Sequence, residues 1–497
     1  MGKGLKSSTC LVIGSGIAGL AAAIRLSSMG MHVKLFEANS TLGGKIAEKK
    51  LAGYRFDIGP SVLTKPDYIM ELFLIHGKNP DNYIQFEKLD RLFNFYFPDG
   101  TTINSFADPA RMEQEIREKS DEPVGNVSRV LNDSKKIYRV TREVFLERSL
   151  HKTKNYFNWP TLRGVLQFNR VRAFQTMHSY NSKRLNDKRL VQIFDRYASY
   201  IGSNPFEAPA TLNIINHFEI NEGAYFPVGG MYKIVEALVK LAGECGVEIF
   251  SGVAVKEIIV EGKKVKGIQT SDGFKESACV ICNADIHLAY EKLLPGKIKP
   301  EFILSQPRSS SVIVFLWGIN KKFPQIGLHN TCFGENDREE YDAIFNRKTI
   351  SEDPNVYFYN SSSNYSADAP QGKSNLFAMI SAPYEDGQNW EDLVSLARTV
   401  VIKKLSTLVG EDIGKLIEVE EVLNPKTIES HTGSWKGSVY GNSSNGMFSA
   451  FLRHPNFSKR IEGLYFCGGS VHPGSGIPLC LLSAKIAADL IKGDFKL

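Results

Sequence analysis

Residues 10–37 read CLVIGSGIAGLAAAIRLSSMGMHVKLFE, an apolar run that breaks on three glycines, resumes with a helical pattern and ends on a lone acid. Residues 9–13 predict a strand that is apolar on both faces, as in the middle of a parallel sheet. Gly14-Ser15-Gly16-Ile17-Ala18-Gly19 then fits G-x-G-x-x-G, residues 20–29 predict a helix, and residues 32–36 predict a second strand. Gly14 permits the tight turn, Gly16 lets a pyrophosphate approach the backbone, and Gly19 lets helix and strand pack closely. The helix N-terminus offers unpaired amides to phosphate. Glu37 stands 18 residues after Gly19. There a carboxylate accepts hydrogen bonds from both ribose hydroxyls and repels a ribose 2′-phosphate, which disfavours NADP. The strand–turn–helix–strand–acid order sets the class as α/β, with a Rossmann-type dinucleotide-binding domain.

At 497 residues the chain exceeds what one hydrophobic core usually organises, so two packed domains are expected. A net charge of +6 suits an anionic surface without demanding nucleic acid, and no nucleic-acid-binding module is recognisable. No apolar run approaches the ~18 residues that cross a bilayer, and no A-x-A cleavage pattern follows the first one. Seven scattered cysteines fit reduced thiols and a cytoplasmic setting. Cys279 and Cys282 form a lone C-x-x-C, but inside a strand they face opposite or nearly opposite sides and no second pair exists, so structural thiols and no metal site are expected. No Ser-His-Asp elbow or H-E-x-x-H is present.

Leu42-Gly43-Gly44-Lys45 and Gly53-Tyr54-Arg55-Phe56-Asp57-Ile58-Gly59-Pro60-Ser61 follow Glu37. This stretch resembles the start of the FAD-dependent amine oxidase and phytoene desaturase superfamily, with Lys45 where many relatives carry Arg. That exchange keeps a positive charge but loses the bidentate fork. Only one dinucleotide fingerprint is present, so no second nicotinamide domain is expected. Farther along, Tyr225-Phe226-Pro227-Val228-Gly229-Gly230-Met231 precedes a helical stretch, two hairpin turns at 261–264 and 271–273, and a strand returning at 278–285. Near the C-terminus, Cys467-Gly468-Gly469-Ser470-Val471-His472-Pro473-Gly474-Ser475-Gly476-Ile477-Pro478 reads strand, glycine loop, helix start. Its HPGSGIP run resembles the H-P-G-x-G-I/V-P signature of bacterial-type carotenoid desaturases. The following Leu479-Cys480-Leu481-Leu482-Ser483 looks closest to the branch that desaturates hydroxylated carotenoids at the 3,4 position.

The resemblance implies FAD as cofactor, held by Gly14 to Gly19, Glu37 and Ala38, by Gly43, Gly44 and Lys45, and by Gly59, Pro60, Ser61 and Val62. It extends the set to Val255, which would hold the adenine through its backbone, to Asn283, Ala284 and Asp285, and to Gly468, Gly469, Ser475, Gly476, Ile477, Pro478 and Leu479. The FAD domain is then discontinuous (1–70, 223–289, 456–497), with an interleaved α+β substrate domain (71–222, 290–455). The implied reaction forms a C=C bond in a lipid-soluble carotenoid by hydride transfer to flavin and proton loss, with oxygen or a quinone as final acceptor. Phytoene- or lycopene-type desaturation, polyene isomerisation, a flavin amine oxidase and a non-enzymatic prenyl-binding escort are the alternatives. His472 is a weak candidate for proton acceptor and a stronger one for loop support. Asp57 reads as tying down its turn, and His431 carries less. Finally, residues 148–190 hold ten Lys or Arg against the single acid Asp187, interleaved with Tyr156, Phe157, Trp159, Phe168, Phe174 and Tyr180. That mixture fits peripheral attachment to an anionic membrane surface.

Overall fold

Thr9–Ile13 is the middle strand of a five-stranded, wholly parallel sheet in the order Leu464–Phe466, Val280–Cys282, Thr9–Ile13, His32–Phe36, Glu248–Phe250. The computed structural model describes residues 9–152, 171–296, 299–447, 449 and 452–497. The middle strand is covered on both faces, with Cys10, Leu11 and Val12 at most 1% exposed, which explains its unbroken apolar run. Gly14 turns at φ +93°, where a side chain is strained. The helix begins at Ile17 rather than at residue 20 and runs to Ser28, so Gly19 lies inside its first turn. A Cβ on Gly19 would stand 2.0 Å from the Gly14 carbonyl oxygen, so only glycine allows helix and turn to approach this closely. Small residues Ala21, Ala22 and Ala23 let this helix pack against the C-terminal helix Ile477–Phe495 and against Tyr232–Glu244.

The register pairs Ile13 with Phe36 and Cys282, and Cys282 with Phe466. The carboxyl ends of these strands therefore share one edge, from which Gly14, Glu37, Asn283 and Gly468 depart. In an open parallel sheet this edge is the ligand crevice. A three-stranded antiparallel sheet (Val255–Glu261, Lys264–Thr270, Gly273–Glu276) lies beside it, with turns at the two places the sequence predicts.

A second, seven-stranded sheet has the order Ile417–Leu423, Ser311–Ile319, Ser374–Ala382, Val356–Tyr359, His329–Cys332, Arg91–Tyr96, Thr102–Phe106. Along Ser311–Ile319 the period of two sends Ile313, Phe315 and Trp317 toward the helix Trp390–Val409, and Val312, Val314 and Leu316 toward the other layer. Against that second face pack Asn126–Thr141, Lys188–Asp195 and the short turns through residue 222. Cys279 and Cys282 do not pair. Cys279 Sγ lies 3.3 Å from Cys10 Sγ on the adjoining strand, and all seven cysteines are free. Among the described residues no group of His, Cys, Asp and Glu could hold a metal ion.

Candidate cofactor and substrate site

Between the two sheets lies one cavity of about 980 Å³. Its lining includes every residue that the resemblance proposes for the cofactor except Ser15 and Gly19. Those two act one layer behind. Ser15 donates from its backbone N (2.8 Å) and its Oγ (2.7 Å) to Glu37 Oε2, and its Oγ accepts from Gly43 N at 3.1 Å. Asn39 N donates to Glu37 Oε1 at 2.9 Å. The carboxylate, 7% exposed, is thereby fixed at the tip of its strand with lone pairs left for a hydroxyl.

Asn283 joins the two glycine loops. Its Oδ1 accepts from Gly19 N at 3.0 Å and its Nδ2 donates to the Cys467 carbonyl at 2.9 Å. A Cβ on Gly16 would meet Asn283 Oδ1 at 2.7 Å, and one on Gly468 would meet Asn283 Nδ2 at 2.4 Å. The floor of the cavity is bare backbone for this reason. Helices Ile17–Ser28 and Ile477–Phe495 both begin at glycines, Gly16 and Gly476, so neither N-cap residue has a side chain to cover the first amides, and Asn283 takes only that of Gly19. Elsewhere Asp108, Thr176, Asp187, Asn389 and Asn424 cap their helices. Open amides at both ends of an elongated cradle, with a carboxylate at one side, fit the pyrophosphate, pyrimidine edge and ribose of FAD.

Other charges on this wall come from distant segments. Asp285 and Arg308 pair at 2.8 Å with side chains 6% and 5% exposed, and Arg308 Nη1 donates to Asn442 Oδ1 at 2.9 Å. Burial pushes the Asp285 carboxyl up, but the charges of Arg308 and Lys45 outweigh it and hold it below the usual carboxylate range. Lys45 is exposed to the cavity, and its Nζ donates to the Val439 carbonyl at 2.7 Å. Burial lowers its ammonium pKa despite Asp285. Among the described residues Arg453 bonds to neutral groups, including Ser444 Oγ at 3.0 Å. Burial, with Arg308 nearby, brings it down to about 10.

His472 does not line the cavity. It is fully buried, its ring Nε2 meets the Arg148 carbonyl at 2.9 Å, and burial pushes it down to about 3. Its ring contacts with Phe145 and His151 and this bond join the C-terminal loop to residues 145–151. Asp57 is likewise structural, accepting from Arg55 (2.7 Å), Met231 N (2.9 Å) and Tyr359 OH (3.2 Å). His431 lines the cavity. Residues 153–170 of the basic, aromatic segment, including Tyr156, Phe157, Trp159, Arg163, Phe168 and Arg170, lie outside the described residues. Of its predicted aromatic members, Phe174 is 68% exposed and Tyr180 is buried.

Beyond the glycine loops the cavity is walled by Val144, Phe145, Leu212, Phe218, Val314, Phe377 and Met379, a long apolar slot. Set into it are Arg196, Tyr200, Glu219, Thr331 and Tyr357. Neither these residues nor Arg308, Asn442 and Arg453 belong to any contiguous motif, so sequence reasoning did not find them.

The chain belongs to the flavin containing amine oxidoreductase family, whose profile matches residues 17–492. Consistent with that class, an oxidoreductase from Methanosarcina mazei (15% identity, TM-score 0.61, covering 96% of this chain and 98% of that one) and a putrescine oxidase (13% identity, TM-score 0.62, 98% and 99%) share the fold. Within the family it falls in the FAD-dependent carotenoid desaturase branch. It is 45% identical to a 1-hydroxycarotenoid 3,4-desaturase of Flavobacterium sp. over 97% of this chain and 98% of the relative. It is also 31% identical to a 4,4'-diaponeurosporene oxygenase of Staphylococcus aureus over 97% of each.

Proposed function

We propose that this enzyme introduces the 3,4 double bond into a 1-hydroxycarotenoid. The single observation that supports this reading most is the long apolar slot that runs from the glycine-lined cradle and carries a few buried polar groups. When bound, FAD would supply the two-electron oxidant that takes hydride from an allylic carbon, and the neighbouring carbon loses a proton to complete the C=C bond. The residues that would hold it are those of the cradle, Glu37 toward the ribose and the amides of Gly16, Ile17 and Ala18 and of Gly476, Ile477 and Leu479 toward the anionic parts. Val144, Phe145, Leu212, Phe218, Val314, Phe377 and Met379 exclude water and align the polyene, which spreads the positive charge left by hydride loss along its own conjugation. The protein's contribution is therefore mainly orientation in a dry site. In this reading residues 1–70, 223–289 and 456–497 hold the cofactor, and 71–222 and 290–455 form the substrate slot. Oxygen or a quinone would be the final electron acceptor.

A substrate confined to lipid requires access to a membrane. Among the described residues no helix is long and apolar enough to cross one. The basic segment with its exposed Phe174 supports attachment to an anionic surface. Vesicles containing anionic lipid should sediment the protein, and neutralising Arg163, Arg170 and Arg172 should weaken that. Unchanged sedimentation would remove the attachment. The function itself is tested in bacteria that make lycopene, γ-carotene or their 1-hydroxy forms. A longer-wavelength pigment is expected only from the hydroxylated precursors. Conversion of the hydrocarbons alone would assign a phytoene- or lycopene-type enzyme instead.

A further inference from the structure

A slot for a hydrocarbon gains nothing from buried charge, yet this one contains an ion pair. Arg196 Nη2 and Glu219 Oε1 stand 3.1 Å apart with side chains 8% and 1% exposed. Glu219 also accepts from Tyr197 OH at 2.7 Å and Tyr200 OH at 2.5 Å, and Arg196 Nη1 donates to Tyr200 OH at 2.7 Å. The Tyr200 phenol thus gives its proton to Glu219 and takes one from Arg196, which leaves its oxygen one lone pair. Among the described residues Arg196 Nε and Thr331 Oγ1, in residues only 9% and 3% exposed, have no hydrogen-bond partner. Burying polar groups unpaired is costly, and here two cavity-lining residues carry such groups, Tyr200 with an open acceptor site and Thr331 with an unpaired hydroxyl. An alcohol that donates to the Tyr200 oxygen is the group that completes this site.

The position of the cluster agrees with the chemistry. The Arg196 guanidinium lies over the rings of Phe93 (4.2 Å) and Phe95 (4.9 Å). Phe95 pairs with Thr331 on the neighbouring strand, and Thr331 pairs with Tyr357 on the next. The Tyr357 hydroxyl meets Ser61 Oγ at 2.7 Å, and Ser61 belongs to the cofactor cradle. The polar cluster is therefore tied to the cradle rather than set at a remote tip. In a 1-hydroxycarotenoid the oxygen is three bonds from C3 of the bond to be oxidised, so whatever binds it must stand close to the flavin.

We propose that Tyr200, positioned by Arg196 and Glu219 and accompanied by Thr331, binds the tertiary hydroxyl of the substrate and selects the hydroxylated end for oxidation. The inference rests on the 3,4-desaturase reading. A hydrocarbon polyene entering the same slot leaves the cluster unpaired, and a site built around a hydroxyl rejects the analogue lacking it for that reason.

The test uses the FAD-loaded full chain with 1-hydroxylycopene and lycopene, measuring Kd from the change in flavin absorbance and kcat/KM from pigment formed. Tyr200→Phe and the isosteric Thr331→Val should each lower affinity and kcat/KM for 1-hydroxylycopene by about ten- to hundredfold. The lycopene Kd should move less than about twofold, within the scatter of a substitution that removes no contact with that substrate. Equal losses on both polyenes, or none on either, would overturn the assignment, since a merely structural cluster cannot distinguish them. Thr331→Val keeps the shape of its site if Tyr200→Phe folds poorly. Wild-type protein that binds and converts lycopene as readily as its hydroxy form would instead refute the 3,4-desaturase reading, and this inference with it.

Discussion

Replacing Glu37 with Gln tests the cofactor cradle at one atom. Its carboxylate accepts three protein hydrogen bonds, from Ser15 N (2.8 Å) and Ser15 Oγ (2.7 Å) on one oxygen and Asn39 N (2.9 Å) on the other. An amide has one acceptor oxygen and one NH₂ donor. Whichever way it turns, its NH₂ confronts a donor, Ser15 or Asn39. One or two bonds to a charged group are lost, each contributing about 1.5–3 kcal/mol. The disturbance reaches Gly43 through the 3.1 Å bond from its N to Ser15 Oγ. The ribose loses its ionised acceptor as well. FAD affinity should fall about ten- to hundredfold, since each 1.4 kcal/mol is a factor of ten. Titration of flavin-stripped protein with FAD, followed by flavin fluorescence, measures this, with urea unfolding of the apoprotein in parallel. A Glu37→Gln protein that binds FAD within about twofold of wild type and unfolds at the same urea concentration would refute the reasoning, because loss of an acceptor this buried cannot be silent in both.

Two further predictions concern stability and flavin retention. Burial holds His472 near 3, so the folded state stays unprotonated where the unfolded chain, with pKa about 6.5, takes a proton. Its contribution is complete above pH 6.5 and is lost as pH falls toward 3, amounting to about 1.3 kcal/mol between pH 7.5 and 5.5. Asp337, pushed up to about 6 by burial, titrates in the same window with opposite sign, so the comparison is made between proteins that share it. His472→Gln should show a shallower decline in urea-unfolding free energy over that range, by about 1.3 kcal/mol; parallel curves would contradict this. Separately, Gly19→Ala should yield protein without flavin absorption, because its Cβ would overlap the Gly14 carbonyl oxygen at 2.0 Å. Gly243→Ala, in a helix with nothing within 4 Å of the added atom, should keep its yellow colour.

Much of the cradle was legible because its signals are local. A glycine turn, the helix after it and an acid ending the next strand are set by backbone conformation and spacing within 28 residues, and HPGSGIP is likewise continuous. The start of the first helix was placed three residues late, because the G-x-G turn closes at Gly16 and Gly19 is already helical. His472 shows the opposite limit. Its motif neighbours face the cavity, yet its own ring turns away to a carbonyl more than 300 residues earlier in the chain.

By itself the sequence determined the class of fold, the dinucleotide grip and the flavin, since each rests on residues adjacent in the chain. Tertiary structure alone decided what lies beyond the flavin. Arg196 and Glu219 are 23 residues apart in two helical turns, Thr331 and Tyr357 come from the seven-stranded sheet, and Asn283 reaches Gly19 across 264 residues. Such groups carry no local signature, because what makes them a site is the burial and missing partners that arise only when distant segments close over a common cavity.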